Sequence, residues 1–381
     1  MPEKFDVVIC GAGPAGTTCA LALENSGLQI AILEKSTFPR DKICGGAVAA
    51  YIPKVLNTIN PKYKKALEGF TDKEPVNTIR IVAPNEKAIN FSYPEQGFIC
   101  KRIHFDNFLL GLAKKLPNVT LFLNTPVHNI TVDDKGVMID AGENLKIESS
   151  LVIGCDGAFS TVRKKLTDTK MDLKHNMVAA RAYFKNVKGI PESTYELHFL
   201  KDVFPGYFWI FQLPGNYANV GVGMLSQTVS EKKINLLKKL ISIIENTPCL
   251  KNRFEDAEIV GKVEGYSLPL GSRELAISGN RFMLCGDAAS LINPLTGEGI
   301  GQAMVSGRYA GWHAKKCFAQ NNFTTPFMKQ YDKMMQDKFR SKNRKAYLAR
   351  KIIQDRKWIF NLVVNLCLNN KFIYKKLKGF F

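Results

Sequence analysis

Residues 5–36, FDVVICGAGPAGTTCALALENSGLQIAILEKS, contain two apolar runs separated by a glycine-rich turn and a helical pattern. The first run, Phe5–Cys10, is typical of a buried parallel strand, and Thr17–Asn25 is predicted to form an amphipathic helix. The second run, Gln29–Leu33, ends at Glu34. Two short strands joined through a helix form a β-α-β unit, so this segment predicts the beginning of a parallel sheet.

Three glycines in the turn have the spacing GxGxxG, which indicates a dinucleotide site, although a purely structural turn shows the same spacing. Gly11 permits a tight turn, Gly13 lets the backbone approach a pyrophosphate, and Gly16 lets helix and strand pack closely. The helix start favours phosphates, and Glu34, 18 residues after Gly16, can accept hydrogen bonds from a ribose. We predict cofactor contacts from Gly11, Gly13, Pro14, Ala15, Gly16, Glu34 and Lys35.

Two later strand ends favour FAD over NAD. At 151–163, LVIGCDGAFSTVR, an apolar strand leads into Asp156-Gly157 and then a Ser-Thr pair that can cap a helix. At 280–290, NRFMLCGDAAS, another strand ends at Gly286-Asp287. The set GxGxxG, DG and GD resembles the glutathione-reductase-type FAD fold, in the single-cofactor branch that includes aromatic hydroxylases, flavin-dependent halogenases and geranylgeranyl reductases. Motifs of that branch occur from Phe5 to Met304.

This resemblance assigns further cofactor contacts. It implies that Asp287 binds the ribityl and pyrophosphate part of FAD while Asp156 and Gly157 hold the cofactor from the other side. Arg102 matches an R-x-x-F-D pattern whose Arg contacts the cofactor, with Asp106 at a helix start; an exposed Arg in an ordinary helix cap is the alternative. The remaining predicted contacts are Gly286, Pro294, Gly297, Gly299 and Ile300.

The stretch 285–304, CGDAASLINPLTGEGIGQAM, predicts a helix start facing the flavin. Pro294 ends a loop, and the N–H groups after Gly297 can stabilise the negative charge that a flavin pyrimidine gains on reduction. Glu298 has two interpretations, an acid matched to the helix dipole or a catalytic group on the substrate side. The pattern TGEGIGQA, with Ser290 in place of the hydroxylases' His, resembles geranylgeranyl reductases.

Two more elements are similar to that family. DKICGGAV, 41–48, resembles its P-C-G-G loop, with Ile43 in place of Pro, and implies that Cys44 and Gly45 lie near the isoalloxazine; a buried structural Cys is the alternative. PGYFWIFQLPG, 205–215, resembles its Y-x-W-x-F-P lipid-pocket motif, with Gln212 in place of Pro. Strand alternation puts Tyr207, Trp209 and Phe211 on one face, as a substrate-pocket wall or as ordinary core.

The resemblance implies an FAD-dependent oxidoreductase in which flavin N5 gives hydride to a C=C bond of an isoprenoid or related lipid. The predicted catalytic residues are Cys44, Tyr207 and Glu298, and the proton donor is left open between Cys44 and Tyr207, or an ordered water. The electron donor is NAD(P)H or a ferredoxin attracted by the basic surface. An FAD-dependent monooxygenase or halogenase and a non-catalytic FAD redox sensor remain the alternatives. No metal site is expected, because the nine cysteines show no ligand spacing.

These motifs predict an α/β chain, α+β overall, with interleaved domains. A Rossmann-like FAD-binding domain comprises 1–70, 98–170 and 274–325. A mostly antiparallel substrate domain comprises 71–97 and 171–273, with strands at 179–187, 193–200 and 216–225 and an amphipathic helix at 231–245. A basic helical segment, 326–381, completes the chain.

Charge is concentrated in the last segment. The chain has a formal charge of +19, and residues 340–381 contain twelve Lys or Arg against one acid, Asp355, interleaved with apolar residues that include Trp358 and Phe380-Phe381. Basic helices with an aromatic face bind anionic membranes, so the tail either contacts a membrane or packs on the FAD domain. No nucleic-acid module is recognisable. Because no apolar run could span a bilayer and no signal peptide is evident, a cytoplasmic location is expected, with possible peripheral contact at the inner membrane face.

Overall fold

The computed structural model describes residues 1–354 and 356–379. The strands are β1 (Glu3–Cys10), β2 (Ile30–Leu33), β3 (Ala47–Val48), β4 (Glu74–Val82), β5 (Ala88–Ile99), β6 (Val119–Phe122), β7 (Val127–Val132), β8 (Val137–Ala141), β9 (Leu145–Gly154), β10 (Asn176–Lys185), β11 (Thr194–His198), β12 (Tyr207–Leu213), β13 (Tyr217–Leu225), β14 (Glu258–Pro269), β15 (Ser278–Gly279) and β16 (Phe282–Leu284). The helices are α1 (Pro14–Ala22), α2 (Ile52–Asn57), α3 (Pro61–Glu68), α4 (Arg102–Ala113), α5 (Thr161–Leu166), α6 (Ser226–Glu231), α7 (Leu236–Asn246), α8 (Pro248–Lys251), α9 (Ile300–Ala319), α10 (Thr325–Ile353), α11 (Lys357–Asn369) and α12 (Lys371–Lys378).

The first sheet contains the predicted parallel unit. Its order is β15-β16-β9-β1-β2-β6, with β16, β9, β1, β2 and β6 parallel, while β7 and β8 continue antiparallel from β9. Strands β1, β9 and β16 end side by side at Cys10, Gly154 and Leu284, and the chain stays paired one residue further, because Cys155 N donates to Cys10 O and Cys285 N donates to Gly154 O. Loops that follow adjacent parallel strands meet at one sheet edge, which is where ligands bind in such folds.

The helix after the glycine turn differs from its prediction. It begins at Pro14 rather than Thr17, ends at Ala22, and buries all its residues, so it is not amphipathic. The cause is α9, which crosses α1 through small residues: a Cβ at Gly307 would lie 2.1 Å from Ala15 O, and one at Gly311 would lie 2.7 Å from Ala22 Cβ. A helix enclosed between a sheet and a second helix needs no polar face.

The second sheet is mostly antiparallel, as expected. Its order is β14-β10-β13-β12-β11-β4-β5-β3, and β11 with β4 is its parallel pair. Strand β3 joins this sheet although it precedes the segment predicted for it. The helix predicted at 231–245 begins later, as α7 at Leu236, because Asn235 caps it by accepting a hydrogen bond from Lys238 N at 3.1 Å, while α6 ends at Glu231.

The C-terminal helices pack on both halves of the molecule. The first part of α10 contacts the first sheet, where Asp332 accepts hydrogen bonds from Ser278 Oγ and Ile277 N. Helices α11 and α12 pack on the second sheet instead, with Val364 and Cys367 buried in a cluster that includes Phe199 and Phe204. Phe380-Phe381 and Asp355 lie outside the described residues. Across residues 1–354 and 356–379, no helix is both long enough and apolar enough to span a bilayer.

Candidate active site

One cavity of about 830 Å³ lies between the two sheets. Loops at the strand ends of the first sheet line one side, and β12 with its neighbours in the second sheet lines the other. Most residues predicted from the sequence line it: Gly11, Gly13, Pro14, Ala15, Glu34, Lys35, Cys44, Gly45, Arg102, Asp156, Gly157, Tyr207, Trp209, Phe211, Gly286, Asp287, Gly297, Glu298, Gly299 and Ile300. The structure therefore brings stretches of sequence that lie far apart in the chain to one space.

The side of the cavity next to the first sheet is formed by main-chain atoms at glycine positions. We call the backbone at Gly11 and Gly286 the glycine floor. Gly11 has φ +105°, and a Cβ there would lie 2.4 Å from Cys155 O. Gly286 has φ +57°, in the left-handed region that favours glycine. Gly16 does not line the cavity; a Cβ there would lie 1.9 Å from Gly11 O, which agrees with its predicted role in helix packing.

Asp156 leaves one buried oxygen available. Its Oδ2 accepts hydrogen bonds from Thr161 N at 2.6 Å and Val162 N at 3.1 Å, at the start of α5. Its buried Oδ1 has no partner among the described residues. Burial raises the pKa of this carboxyl group although the hydrogen bonds oppose it. A buried oxygen without a partner is costly unless a ligand supplies a donor.

Asp287 faces a lysine that the sequence analysis did not single out. Lys42 Nζ lies 2.9 Å from Asp287 Oδ2 and 5.1 Å from the centre of the Tyr266 ring. Burial lowers the pKa of Lys42, but the charge of Asp287 outweighs burial and the net shift is upward. A charged lysine therefore stands beside the carboxylate predicted to bind the ribityl and pyrophosphate part. Its sequence signal was position alone, two residues before Cys44.

Two other predicted cofactor residues are held by the protein itself. Glu34 is buried, and its oxygens accept hydrogen bonds from Ala12 N at 2.9 Å and Ser36 N at 3.1 Å. Arg102 is also buried and donates to both Asp106 oxygens at 2.7 Å, which contradicts the alternative of an exposed helix-cap Arg. Burial raises the pKa of Asp106, but Arg102 and then Arg40 outweigh it and the net shift is downward.

Pro294 is a correction to the predicted site. It does not line the cavity, and its carbonyl accepts a hydrogen bond from Arg350 of α10 at 3.4 Å. The next residues do reach the cavity: Gly297 has φ +72°, and Tyr207 Oη donates to Thr296 O at 2.5 Å. Tyr207 therefore fixes the glycine turn to the second sheet.

The opposite side of the cavity is an aromatic wall formed by Tyr207, Trp209 and Phe211. They share one face of β12, as expected, while Phe208 and Ile210 face a separate core on the other side. Asn219 joins this wall to the Cys44 loop, because it accepts from Trp209 Nε1 at 3.0 Å and donates to Cys44 O at 2.7 Å.

The Cys44 loop comes close to the aromatic wall. A Cβ at Gly45 would lie 3.1 Å from the Phe211 ring. Cys44 is half-buried at the cavity, not a core residue. The sequence analysis missed several lining residues that come from other segments: Lys42, Tyr51, Met177, Arg181, Tyr195, Tyr266 and Lys342.

Comparison with known proteins agrees with this geometry. Residues 4–188 match a family described as FAD binding domain. Digeranylgeranylglycerophospholipid reductase 1 of Methanococcoides burtonii is 30% identical over 350 residues, covering 89% of this chain and 81% of that protein. This chain belongs to the geranylgeranyl reductase family of FAD-dependent oxidoreductases. The corresponding reductase of Thermoplasma volcanium is 29% identical over 359 residues, covering 91% of this chain and 87% of that protein.

The family assignment confirms the fold, the enzyme class and the cofactor. A solved geranylgeranyl bacteriochlorophyll reductase-like protein from Thermoplasma acidophilum superposes with a TM-score of 0.83 at 22% identity, over 100% of both chains. Like other members of the geranylgeranyl reductase family, the chain is an FAD-dependent oxidoreductase. The cavity fits FAD. The glycine floor and the start of α1 suit a pyrophosphate, and the unpartnered Asp156 Oδ1 suits a hydrogen-bond donor such as a ribose hydroxyl.

Proposed function

We propose that this chain saturates carbon–carbon double bonds of an isoprenoid or related lipid. The observation that carries the proposal is the continuity of one cavity from the glycine floor to the aromatic wall. An apolar wall suits a long hydrocarbon and offers few groups to hold a polar substrate. The relatives named digeranylgeranylglycerophospholipid reductases support a lipid of this class.

Each side of the cavity has a distinct task in this proposal. Bound FAD supplies hydride transfer. The turn around Gly11, the carboxylates Asp156 and Asp287, and Lys42 hold and orient the cofactor, with Lys42 neutralising a phosphate or carboxylate charge. The aromatic wall excludes water and fixes the double bond, which matters because an unactivated alkene reacts only in a well-oriented complex.

We propose the same division for the domains. The first sheet with α1, α4, α5 and α9 holds the cofactor, and the second sheet holds the substrate. The pairing of β3 with β5 supports counting residues 47–48 with the substrate side, although they lie within the predicted 1–70 segment. Both sides meet at Cys44 and Gly45, directly before that strand.

Anaerobic turnover tests the proposal. The purified yellow protein is reduced with dithionite, excess reductant is removed, and polyprenyl lipids and prenylated quinones are added separately while flavin absorbance and lipid mass are followed. We expect flavin reoxidation with a gain of two hydrogens per flavin by an unsaturated lipid. The fully saturated analogue of the same lipid is the matched control and should leave the flavin reduced.

Other outcomes separate the remaining functions. Reoxidation only after air is admitted, with oxygen inserted into a substrate or halide incorporated, would contradict the reductase and support a monooxygenase or halogenase. No substrate-dependent reoxidation under any condition would leave a redox sensor. For the electron source, the oxidised enzyme is mixed anaerobically with NADH, NADPH or reduced ferredoxin, and the physiological class of donor is the one that bleaches the flavin fastest.

We further propose that the C-terminal helices contact an anionic membrane. Helix α11 buries Val364 and Cys367 but leaves Trp358 64% exposed, and α12 leaves Phe372 73% exposed. The exposed large apolar residues of the C-terminal helices α10, α11 and α12 are Leu348, Ile352, Trp358, Leu362, Leu366, Leu368 and Phe372. Exposed lysines flank them, and a basic surface with apolar anchors matches an anionic lipid surface.

Vesicle binding by the full chain tests this contact. The double variant Trp358→Ser/Phe372→Ser should lose most sedimentation with vesicles containing phosphatidylserine, because it removes two apolar anchors. Both side chains face solvent, so their removal leaves the fold intact. Leu173→Ser/Ile259→Ser, which removes exposed apolar residues from other surfaces, is the matched control. Equal sedimentation of both variants would contradict the proposal. Deleting residues 340–381 would be uninformative, because it also removes the buried residues Ala346, Val364 and Cys367.

A further inference from the structure

A tyrosine and a glutamate from distant segments form a hydrogen-bonded pair inside the cavity. Tyr51 Oη donates to Glu298 Oε1 at 2.6 Å, and both residues line the cavity. Tyr51 directly precedes α2, whereas Glu298 lies two residues before α9. The contact therefore joins the segment that follows the Cys44 loop to the glycine turn at the helix start.

The backbone at Gly301 is shaped around this pair. A Cβ at that position would lie 1.9 Å from Tyr51 Oη and 2.8 Å from Glu298 Oε1. Any side chain there would displace the phenol, the carboxylate or both. The third glycine of this turn thus makes room for the pair, in addition to freeing the helix start.

The pair lines the same cavity as the aromatic wall. Tyr195 lines the same cavity as Glu298 and packs against Phe211 with ring centres 5.6 Å apart, and burial, followed by the proximity of Glu298, raises its pKa. Tyr51, on the other side, is 38% exposed. Two hydrogen-bonded side chains, one of them partly exposed, therefore line the cavity in which the substrate is proposed to bind.

The two tyrosines of the cavity differ in what they can donate. Tyr207 donates its hydroxyl proton to the backbone carbonyl of Thr296, which leaves it no free proton for a substrate. Burial, and then the charge and hydrogen bond of Glu298, raise the pKa of Tyr51, so Tyr51 stays a neutral donor. Because Tyr51 donates to one oxygen of the Glu298 carboxyl group, the other oxygen is free to carry a proton for a substrate.

We propose that Glu298 is the proton donor of double-bond reduction and that Tyr51 positions it and stabilises the carboxylate that remains. The π bond of the alkene breaks and two C–H bonds form: one with the hydride of the reduced cofactor, the other with the proton of the Glu298 carboxyl group. The carboxylate then recovers its proton from water on the Tyr51 side. This inference rests on the proposed function.

The first test uses the protein without substrate. Crystal structures of the FAD-loaded enzyme are determined for the wild type and for Tyr51→Phe. In the wild type we expect Tyr51 Oη within hydrogen-bond distance of a Glu298 carboxylate oxygen, and in Tyr51→Phe we expect the Glu298 side chain to leave that position. Separated Tyr51 and Glu298 side chains in the wild type would show that the pair does not exist and would overturn the proposal.

The second test is anaerobic single turnover. Glu298→Gln should retain FAD binding and should reoxidise about a hundredfold or more slowly with the lipid, as expected when a general acid is removed. Tyr51→Phe should lower kcat about fivefold to tenfold with little change in KM, the loss of one hydrogen bond to a charged group. Tyr63→Phe removes a similar bond, 2.8 Å to Glu24 outside the cavity, and should keep the wild-type rate.

The results separate this inference from the proposed function. If wild-type enzyme is reoxidised by the lipid and Glu298→Gln reacts at the same rate, the inference is wrong while the lipid reductase stands. If no lipid reoxidises the wild type, the proposed function fails and the proton donor fails with it. If Glu298→Gln loses both FAD and rate, the comparison of Tyr51→Phe with Tyr63→Phe decides. Equal single-turnover rates in these two variants would show that the hydrogen bond of Tyr51 plays no part in the reaction and would overturn the inference.

Discussion

The two sides of the cavity are built by different means. The cofactor side uses backbone at glycine positions, where Gly11 and Gly286 adopt positive φ and no side chain fits. The substrate side uses side chains from separated strands, joined by Asn219 to the Cys44 loop. Backbone geometry restricts each position to one residue type, whereas an apolar wall accepts many. The cofactor is therefore easier to identify than the substrate.

The largest expected effect comes from a side chain on the glycine floor. Gly11→Ala puts a Cβ 2.4 Å from Cys155 O and keeps φ in a strained region, so the strand ends must move apart. We expect loss of bound FAD, measured by the ratio of flavin to protein absorbance. Gly27→Ala is the control, since Gly27 has φ +75° with nothing within 4 Å, and it should cost only about 1 kcal/mol with FAD retained. Equal flavin loss in both would show that strain alone matters.

The next effect concerns the stability of the substrate side. Burial would raise the pKa of Glu196, but contacts with His198 and Arg253 outweigh it and hold the pKa at about 2, against 4.5 ordinarily. Glu196→Gln should destabilise the fold by about 3 kcal/mol near neutral pH, because it removes a buried carboxylate that is paired with the half-buried Arg253. Denaturant unfolding measures it.

The carboxylate of Glu196 should also make the free energy of unfolding depend on pH under acid conditions. Its folded pKa is lowered, so its contribution is complete above pH 4.5 and is lost as the pH falls towards about 2. The difference in unfolding free energy between wild type and Glu196→Gln should shrink over that window. A difference that persists at pH 2 would contradict the assigned pKa.

A smaller effect is expected at the junction of the two sides. Asn219→Ala removes the hydrogen bonds to Trp209 Nε1 and Cys44 O, each worth about 1 kcal/mol. The aromatic wall and the Cys44 loop then lose their fixed relative position. Lipid turnover should fall about tenfold while FAD affinity stays within about twofold. A parallel loss of FAD would mean that Asn219 supports the cofactor side instead.

The smallest effect is expected for Tyr207→Phe. It removes only the hydroxyl that holds Thr296 O at 2.5 Å, and the ring stays in the wall. Lipid turnover should fall severalfold, and unfolding stability by about 1 kcal/mol. A loss of lipid turnover of a hundredfold or more would indicate that Tyr207, and not Glu298, is the proton donor.

These differences explain how far the sequence could be interpreted. Gly11, Gly16 and Asp287 were predictable because strand, turn and helix rules fix their places. Tyr51 and Lys42 were not, since their partners Glu298 and Asp287 are some 250 residues away and no local pattern links them. Pro294 does not line the cavity, and no local pattern indicates the contact that its carbonyl makes with Arg350 of α10.

The most direct test of the account is a crystal structure of the full chain with FAD and an unreactive saturated prenyl lipid. We expect the flavin ring between the Cys44-Gly45 loop and the turn at Gly297, with the lipid chain against Tyr207, Trp209 and Phe211 and one flavin face. Density for the lipid outside this cavity, or a flavin whose reactive face is closed off from the aromatic wall, would contradict the claim that cofactor and substrate share one site.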